Sequence, residues 1–403
     1  MEKPIAAVEF GSKKIKLIVG YELQGQVYVI YAFTRPYGYA IEGGNFVDPT
    51  KVVEAVKEIS KFTDESAKLK LSISEACLCL PPFGLEIYQS HQMSAVIGEE
   101  GKVDKIDIRN VYTLIRNAVT SGIQNELIDI IPEVYTLDEG RSFARPPFGV
   151  VSSSLSIDAK VHTLPKAIEA NYTRVLNDGG INVKRLFVAP YAASQLIAAD
   201  ESMPSDYLLV DIGSNSTTIS LIGQKALYDS RFFDWGGDRI TEKIIQSFNI
   251  NEADAEKYKI TYGIDKREMN FKAPVCTTTD DEGNKIKHYT DELNTIIKSE
   301  LDVFVKDLTT AMNDMLAPYD PSFKQLPLVL VGGGSRLNGL IDYILPKLPN
   351  DTAVCWLPKN LGARDATFVN CLGMILANAK NMSVYDESHP RVGKVTRDEK
   401  KEA

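Results

Sequence analysis

The chain has 403 residues, 44% hydrophobic and 25% charged, which is enough length for two or more domains with cores of their own. Its formal net charge of −9 argues against nucleic acid as the main partner, and no apolar run is long enough to span a bilayer. Five cysteines without zinc-site spacing and four scattered histidines give no support to a metal cluster or a histidine-based triad. The N-terminus passes from Met-Glu-Lys-Pro straight into a strand with no signal peptide, so Cys77, Cys79, Cys276, Cys355 and Cys371 read mostly as reduced core thiols of a cytosolic protein.

Residues 6–20, AAVEFGSKKIKLIVG, predict a strand, a polar turn and a second strand. Glu9 edges the turn, Gly11 and Ser12 form it, and Lys13, Lys14 and Lys16 follow; Lys14 and Lys16 are candidate phosphate partners. Small turn residues let backbone N–H groups approach an anion closely. A strand over 27–33 and a loop over 38–44 come next. Asp48 or Thr50 then caps a helix to about Phe62, with Val52, Val53, Val56, Ile59 and Phe62 at helical spacing. A buried strand over 76–80 precedes a change of composition over 84–162. That insertion reads as a polar strand (85–92), a helix (104–121) with Ile108, Val111, Ile115 and Val119 on one face, DIIPEVYTL (129–137), RPPFG (145–149) and a strand (154–162). A helix over 163–178 is stopped by Gly179-Gly180.

Residues 207–223, YLLVDIGSNSTTISLIG, repeat the first pattern: Asp211, Gly213 and Ser214 line up with Glu9, Gly11 and Ser12, and Asn215 and Ser216 complete the turn. The Asp211 carboxylate suits the metal that accompanies a phosphate chain. A pattern recurring once per half-chain suggests a duplicated domain with two phosphate loops facing each other across a cleft. DWGGD (234–238) starts a helix, ADAEKYKITYG (253–263) is another, 265–289 is a polar hairpin region, and 290–316 is a long helix ended by Pro318. In 326–340, LPLVLVGGGSRLNGL, a buried strand runs into Gly332, Gly333, Gly334, Ser335 and Arg336 and then a helix, whose N-terminal amides suit a nucleotide. From 382 onward the chain is charged, has no apolar face and reads as a disordered tail.

The three glycine-rich signals, in this order, resemble the actin/chaperone/sugar-kinase ATPase superfamily. The insertion resembles the extra subdomain of FtsA, the bacterial cell-division actin homologue, in which the stretch runs IP-x-x-Y-x-(I/L)-D … (N/R)P-x-G; the resemblance extends from 5 to about 380. It implies an α/β, duplicated actin-like (ribonuclease-H-like) ATPase fold: two halves around a nucleotide cleft, with an FtsA-type inserted subdomain. On this pattern 1–83 and 163–195, completed by 368–380, form the first half (1A), 84–162 the inserted subdomain (1C), 196–235 and 322–367 the second half (2A), 236–321 subdomain 2B, and 381–403 the tail. VAPYAAS (188–194) corresponds to the first connecting helix and 362–373 to the second. The resemblance further implies ATP and Mg²⁺ between the halves. Asp211 takes the metal and phosphate role, joined by Glu9 through water. Gly236, Gly237 and Asp238 form the turn beside the nucleotide, and Glu256, Lys257 and Lys259 flank the adenosine.

Three departures point to at most a slow ATPase: Glu9 where Asp is usual, Thr218 where an acidic residue or His is common, and Ala189 where many active relatives carry Glu or Gln to orient water. The implied partners are copies of the chain in a filament, the FtsZ tail through 236–321, and other division proteins through 84–162. Glu300 stands roughly where relatives present a basic residue to the FtsZ tail, with Lys298 and Lys306 nearby. Membrane contact is expected only indirectly or through a C-terminal amphipathic helix that 384–403 does not supply, at the inner face of the cell membrane. A PilM-like adaptor of a pilus or secretion machine shares the fold, but the RPPFG segment favours FtsA. A small-molecule kinase lacks its catalytic Asp motif in the first half, and a chaperone lacks a peptide-binding domain after 380.

Overall fold

A strand that carries Glu9, Ile5–Phe10, lies at the centre of the first of two five-stranded sheets with one strand order between them. The computed structural model describes residues 4–64, 69–120, 124–264, 272–279 and 282–385, without the side chains of 62–71 and 381–385. In the first sheet, Ile5–Phe10 pairs antiparallel with Lys14–Leu23, which pairs antiparallel with Gln26–Pro36; on its other side lie Glu75–Leu80 and Asn182–Val188, both parallel. The second sheet repeats this: Tyr207–Ile212 pairs antiparallel with Thr217–Gly223, then Ala226–Phe233 follows, while Leu328–Val331 and Ala353–Cys355 run parallel on the other side. The central strands are almost wholly apolar because parallel neighbours and covering helices bury both faces. Both sheets belong to one unit, 1–87 with 163–376.

The helices that cover the sheets follow their apolar spacing. Pro49–Ser60 starts at Asp48, whose side chain accepts from Lys51 N at 3.3 Å, and it buries Val52, Val56 and Ile59. Thr290–Leu316 is 27 residues long and turns Leu293, Ile297, Leu301, Phe304, Leu308, Met312 and Met315 onto the second sheet's core. Trp235 packs on Phe304 there, ring centroids 4.5 Å apart, and donates its indole N–H to the Glu300 carbonyl at 3.1 Å. Two further helices, Ala189–Ile197 and Val369–Tyr385, follow the first sheet's last strand and the second sheet's edge. They touch backbone to backbone: a Cβ at Gly373 would stand 1.8 Å from the Ala192 carbonyl oxygen.

Several boundaries differ from expectation. Thr163 and Leu164 end a strand, Ser154–Leu164, and the helix begins only at Lys166, because Pro165 holds the preceding residue extended. The three glycines do not open an α-helix: Gly333–Arg336 is a 3₁₀ turn and Leu340–Ile344 is a five-residue helix, since Gly332 at φ +82° and Gly339 at φ +79° leave the right-handed region on either side. The second connecting helix starts at Val369 rather than near 362, after a 3₁₀ turn at Ala366–Phe368. Phe62 lies in a strand, Lys61–Asp64, not in the preceding helix. Residues 381–385 complete Val369–Tyr385, and 386–403 lie outside the described residues, as do 265–271 of the expected hairpin region. Cys77, Cys79 and Cys371 are buried free thiols, and Cys276 and Cys355 are half-buried.

The second unit, 88–162 with 377–403, is built on a four-stranded sheet in the order Ser142–Phe143, Glu126–Leu137, Ser154–Leu164, Glu86–Ala95. One face carries the helix Lys105–Thr120, whose Ile108, Val111, Ile115 and Val119 meet Leu127, Ile130, Tyr135, Leu155 and Ile157. The RPPFG segment turns at Gly149, φ +77°, whose N–H donates to the Val103 carbonyl at 2.8 Å. His162 is 1% exposed, and burial, with Lys160 adding to it, pushes its imidazolium down from 6.5 to about 3. The fold therefore takes the neutral ring. Its contribution is complete above 6.5 and is lost as pH falls towards 3. Each pH unit in that window costs the fold up to about 1.4 kcal/mol. Urea unfolding of His162→Gln should show a shallower loss of stability between pH 6.5 and 4 than the parent chain. Identical pH dependence of the two would mean that acid acts elsewhere.

Candidate functional site

The duplicated strand-turn-strand units place two turns against one cavity of about 800 Å³. In each, the first glycine donates across the turn: Gly11 N–H to the Lys14 carbonyl at 3.0 Å, and Gly213 N–H to the Ser216 carbonyl at 2.9 Å. The turns are therefore the same local structure formed twice. Tyr37 donates its hydroxyl to the Gly11 carbonyl and pins the first turn from outside. Gly332 closes the cavity's floor: its φ of +82° is a glycine conformation, and a Cβ there would meet Asp211 Oδ1 at 2.3 Å and the Ile212 carbonyl at 2.5 Å.

The acidic residues of the two turns come together. Asn370, at the start of Val369–Tyr385, donates its amide to Glu9 Oε1 at 3.2 Å and to Asp211 Oδ2 at 3.3 Å. Lys16 lies directly across the antiparallel ladder from Glu9 and sets its Nζ 2.8 Å from Oε1, with both side chains 13% exposed. Asp211 has Thr218 in the equivalent position. Burial, and then the neighbouring Glu9, raises the Asp211 carboxyl above its ordinary range. Burial alone would lower the Lys16 ammonium, but Glu9 and Asp211 outweigh it and the net shift is upward. Two half-buried acidic side chains thus share one cation and one amide.

Of the residues expected from sequence, Glu9, Gly11, Ser12, Lys13, Lys14, Asp211, Gly213, Ser214, Asn215, Ser216, Gly237, Asp238, Glu256, Lys259, Gly332, Gly333, Gly334 and Arg336 line this cavity. Gly236 is not among the lining residues and packs against the Ser214 backbone. Lys257 is exposed on its helix, and buried Ser335 donates to the Gly332 carbonyl at 2.8 Å. Some cavity residues act on the protein rather than towards the space. The N–H groups of Gly237 and Asp238 donate to the carbonyls of Gly213 and Ser214 at 3.0 and 2.9 Å, docking the helix Gly237–Phe248 on the second turn. Lys259 donates to the Gly237 carbonyl and Thr241, and pairs with Glu256 at 2.7 Å. Arg336 pairs with Asp365 at 2.6 Å. Burial, and then Lys16, lowers the Lys14 ammonium.

Asn370, Thr367, Glu252 and the apolar wall of Ile240, Ile260, Leu337 and Leu340 were not anticipated. Nothing local marks Asn370, which is 361 residues from Glu9. The cavity's size, its paired amide-rich turns, its cations and its apolar wall fit a nucleotide. The oxygen donors fit Mg²⁺ held through water: Glu9 Oε2 and Asn370 Oδ1 are buried without a hydrogen-bond partner beside Asp211, and this hard ion keeps much of its hydration shell. Among the described residues, no three His, Cys, Asp or Glu side chains form a direct metal cluster.

Comparison with known proteins agrees with the sequence resemblance. Residues 208–373 match the family model described as "Cell division protein FtsA". The cell division protein FtsA of Enterococcus faecalis is 24% identical over 386 residues, covering 94% of this chain and 84% of the relative. A solved PilM–PilN type IV pilus biogenesis complex superposes with TM-score 0.60 at 18% identity, over 95% of this chain and 99% of that one. MreB5 of Spiroplasma citri bound to ADP superposes with TM-score 0.54 at 13% identity, over 94% of this chain and 98% of that one. The fold is the actin-like fold, and in sequence the chain is similar to proteins described as FtsA.

Gly332→Ala should lower the melting temperature and weaken nucleotide binding, because strain in this glycine-only region costs about 1–3 kcal/mol. Gly333→Ala, whose Cβ would meet only Thr367 Cγ2 at 3.5 Å, should melt close to the parent chain. Equal melting of the two variants in differential scanning calorimetry would remove the steric role assigned to Gly332.

Proposed function

We propose that this chain is a nucleotide-binding, actin-like cell-division protein, in which ATP in the cleft favours assembly of copies into a filament. The filament links FtsZ to the division machinery at the inner face of the cell membrane. The observation that carries the nucleotide part is the pair of equivalent turns on one cavity, with their carboxylates joined by Asn370. The FtsA relationship supports the cell-division role, and MreB5, a neighbour in fold, is itself bound to ADP. The amides of the turns and the nearby lysines receive phosphate oxygens, and the apolar wall receives the base. Mg²⁺, when bound, neutralises phosphate charge; Glu9 and Asp211 orient its water shell, and Asn370 fixes their separation.

Hydrolysis is weak or absent in this reading. Ala189 lines the cavity with a methyl group and has no atom to orient water, and Thr218 faces Asp211 across the ladder. FtsZ meets the second half through 236–321. Glu300 does not oppose an acidic peptide there as a free charge: its side chain is 14% exposed and lies 3.6 Å from Arg239. Lys306 is exposed one face along the same helix. The inserted unit meets other copies or division proteins, supported by large apolar side chains left exposed at Met93, Ile97, Ile106, Phe148 and Val151. No described helix is long and apolar enough to cross a membrane; membrane contact comes through partners or through a C-terminal amphipathic helix.

ATP with Mg²⁺ should raise the melting temperature, since a ligand at about 100 times its dissociation constant stabilises by about 2.7 kcal/mol. Asp211→Ala should lose most of that rise, and Ala189→Glu should increase phosphate release from a slow parent rate. Sedimentation of the parent chain should become ATP-dependent. The absence of any melting shift with ATP or ADP would overturn the nucleotide role, and rapid parent turnover would overturn the weak-hydrolysis assignment.

A further inference from the structure

One cluster among the cavity's lining residues joins the two halves through ion pairs and a tyrosine hydroxyl. Lys13, in the first turn, sets its Nζ 2.9 Å from Asp238 Oδ1 and 2.8 Å from Glu252 Oε1. Asp238 belongs to the helix Gly237–Phe248, and Glu252 opens the helix Glu252–Tyr262, capped by Asn251. Tyr39, from the first half, donates its hydroxyl to the same Glu252 oxygen at 2.9 Å, and the Lys13 ammonium sits 4.1 Å from the centre of its ring. Lys13 and Glu252 are 239 positions apart. The cluster therefore ties the first sheet's turn to the second half's helices and not to its own neighbourhood.

Its composition suits a reversible tie. The Asp238 side chain is 10% exposed, and its second oxygen is buried without a hydrogen-bond partner, so the carboxylate depends on Lys13. Glu252, by contrast, is 51% exposed and open to solvent ions. An ammonium has three N–H groups, and the two carboxylates take two of them. Lys13, Asp238 and Glu252 all line the cavity.

We propose that Lys13, with Asp238, Glu252 and Tyr39, forms a latch across the cleft whose opening sets the rate at which nucleotide enters and leaves. This inference rests on the cleft's being a nucleotide site. A latch differs from a binding contact in its kinetics. Breaking it lowers the barrier in both directions, so association and dissociation accelerate together, whereas loss of a phosphate contact accelerates dissociation alone. Partly exposed ion pairs are screened by salt, so added salt should also open the latch.

The test is stopped-flow exchange of N-methylanthraniloyl-ATP on the full chain, chased with ATP. Lys13→Met and Glu252→Gln should each raise the association and dissociation rates together, by fivefold or more, and should abolish the acceleration that added salt gives the parent. Lys13→Arg, which keeps the charge, should exchange like the parent. If Lys13→Met fails to fold, Glu252→Gln and Tyr39→Phe decide, since both alter exposed groups. Faster dissociation with unchanged association, or unchanged rates in Glu252→Gln, overturns the latch. Absence of binding by the parent chain overturns the nucleotide role, and the latch with it.

Discussion

Two half-buried acidic side chains, one from each half of a duplicated fold, are brought to a single amide. That is the constraint around which the first unit is arranged. Glu9 and Asp211 sit near the ends of equivalent central strands, and Asn370 reaches both from the start of the helix Val369–Tyr385. Without compensation, such a pair would push the sheets apart or hold a proton permanently. Lys16 supplies the charge from the neighbouring strand, in a position fixed by ladder register rather than by a mobile loop. The register of one hairpin thus decides the electrostatics of the whole cleft.

The two halves are equivalent in topology but not in chemistry. Lys16 faces Glu9, whereas Thr218 faces Asp211. The helix that docks on the second turn consumes the carbonyls of Gly213 and Ser214, and the first turn is instead pinned by Tyr37. Cation density accordingly lies on the first half, with Lys13, Lys14 and Lys16 in one run of four residues. The second half contributes Asp238, Glu252 and Glu256 to the same cavity, and its two cations there, Lys259 and Arg336, are paired with Glu256 and Asp365. A ligand rich in negative charge would be drawn to one wall, and the opposite wall would discriminate by shape and hydrogen bonding.

What could be read from the sequence was whatever repeats or is periodic. The alignment of Glu9-x-Gly11-Ser12 with Asp211-x-Gly213-Ser214 showed both turns, because the chain needs the same small residues wherever it turns this tightly. The long helix, expected over 290–316 with Pro318 just beyond it, has those bounds. Features that depend on distant partners were not legible. Asn370 looks like any polar residue of a helix, and the roles of Lys13 and Glu252 exist only once the halves face each other. The run Gly332-Gly333-Gly334 was read as a helix start because glycine-rich junctions often precede helices. The positive φ that glycine permits at Gly332 is also what stops a helix from forming there.

The contact between Gly373 and Ala192 carries a mechanical consequence. At Gly373 there is no side chain between this helix and the Ala192 backbone, so at that point no ridge must leave a groove when one helix turns against the other. Such a crossing resists separation and sliding, because the surrounding packing is tight, yet it yields to twist. It has the properties of a bearing. Even the smallest side chain at Gly373 would act as a shim, forcing the helices apart at the axle and spreading a displacement of ångström size across everything mounted on them.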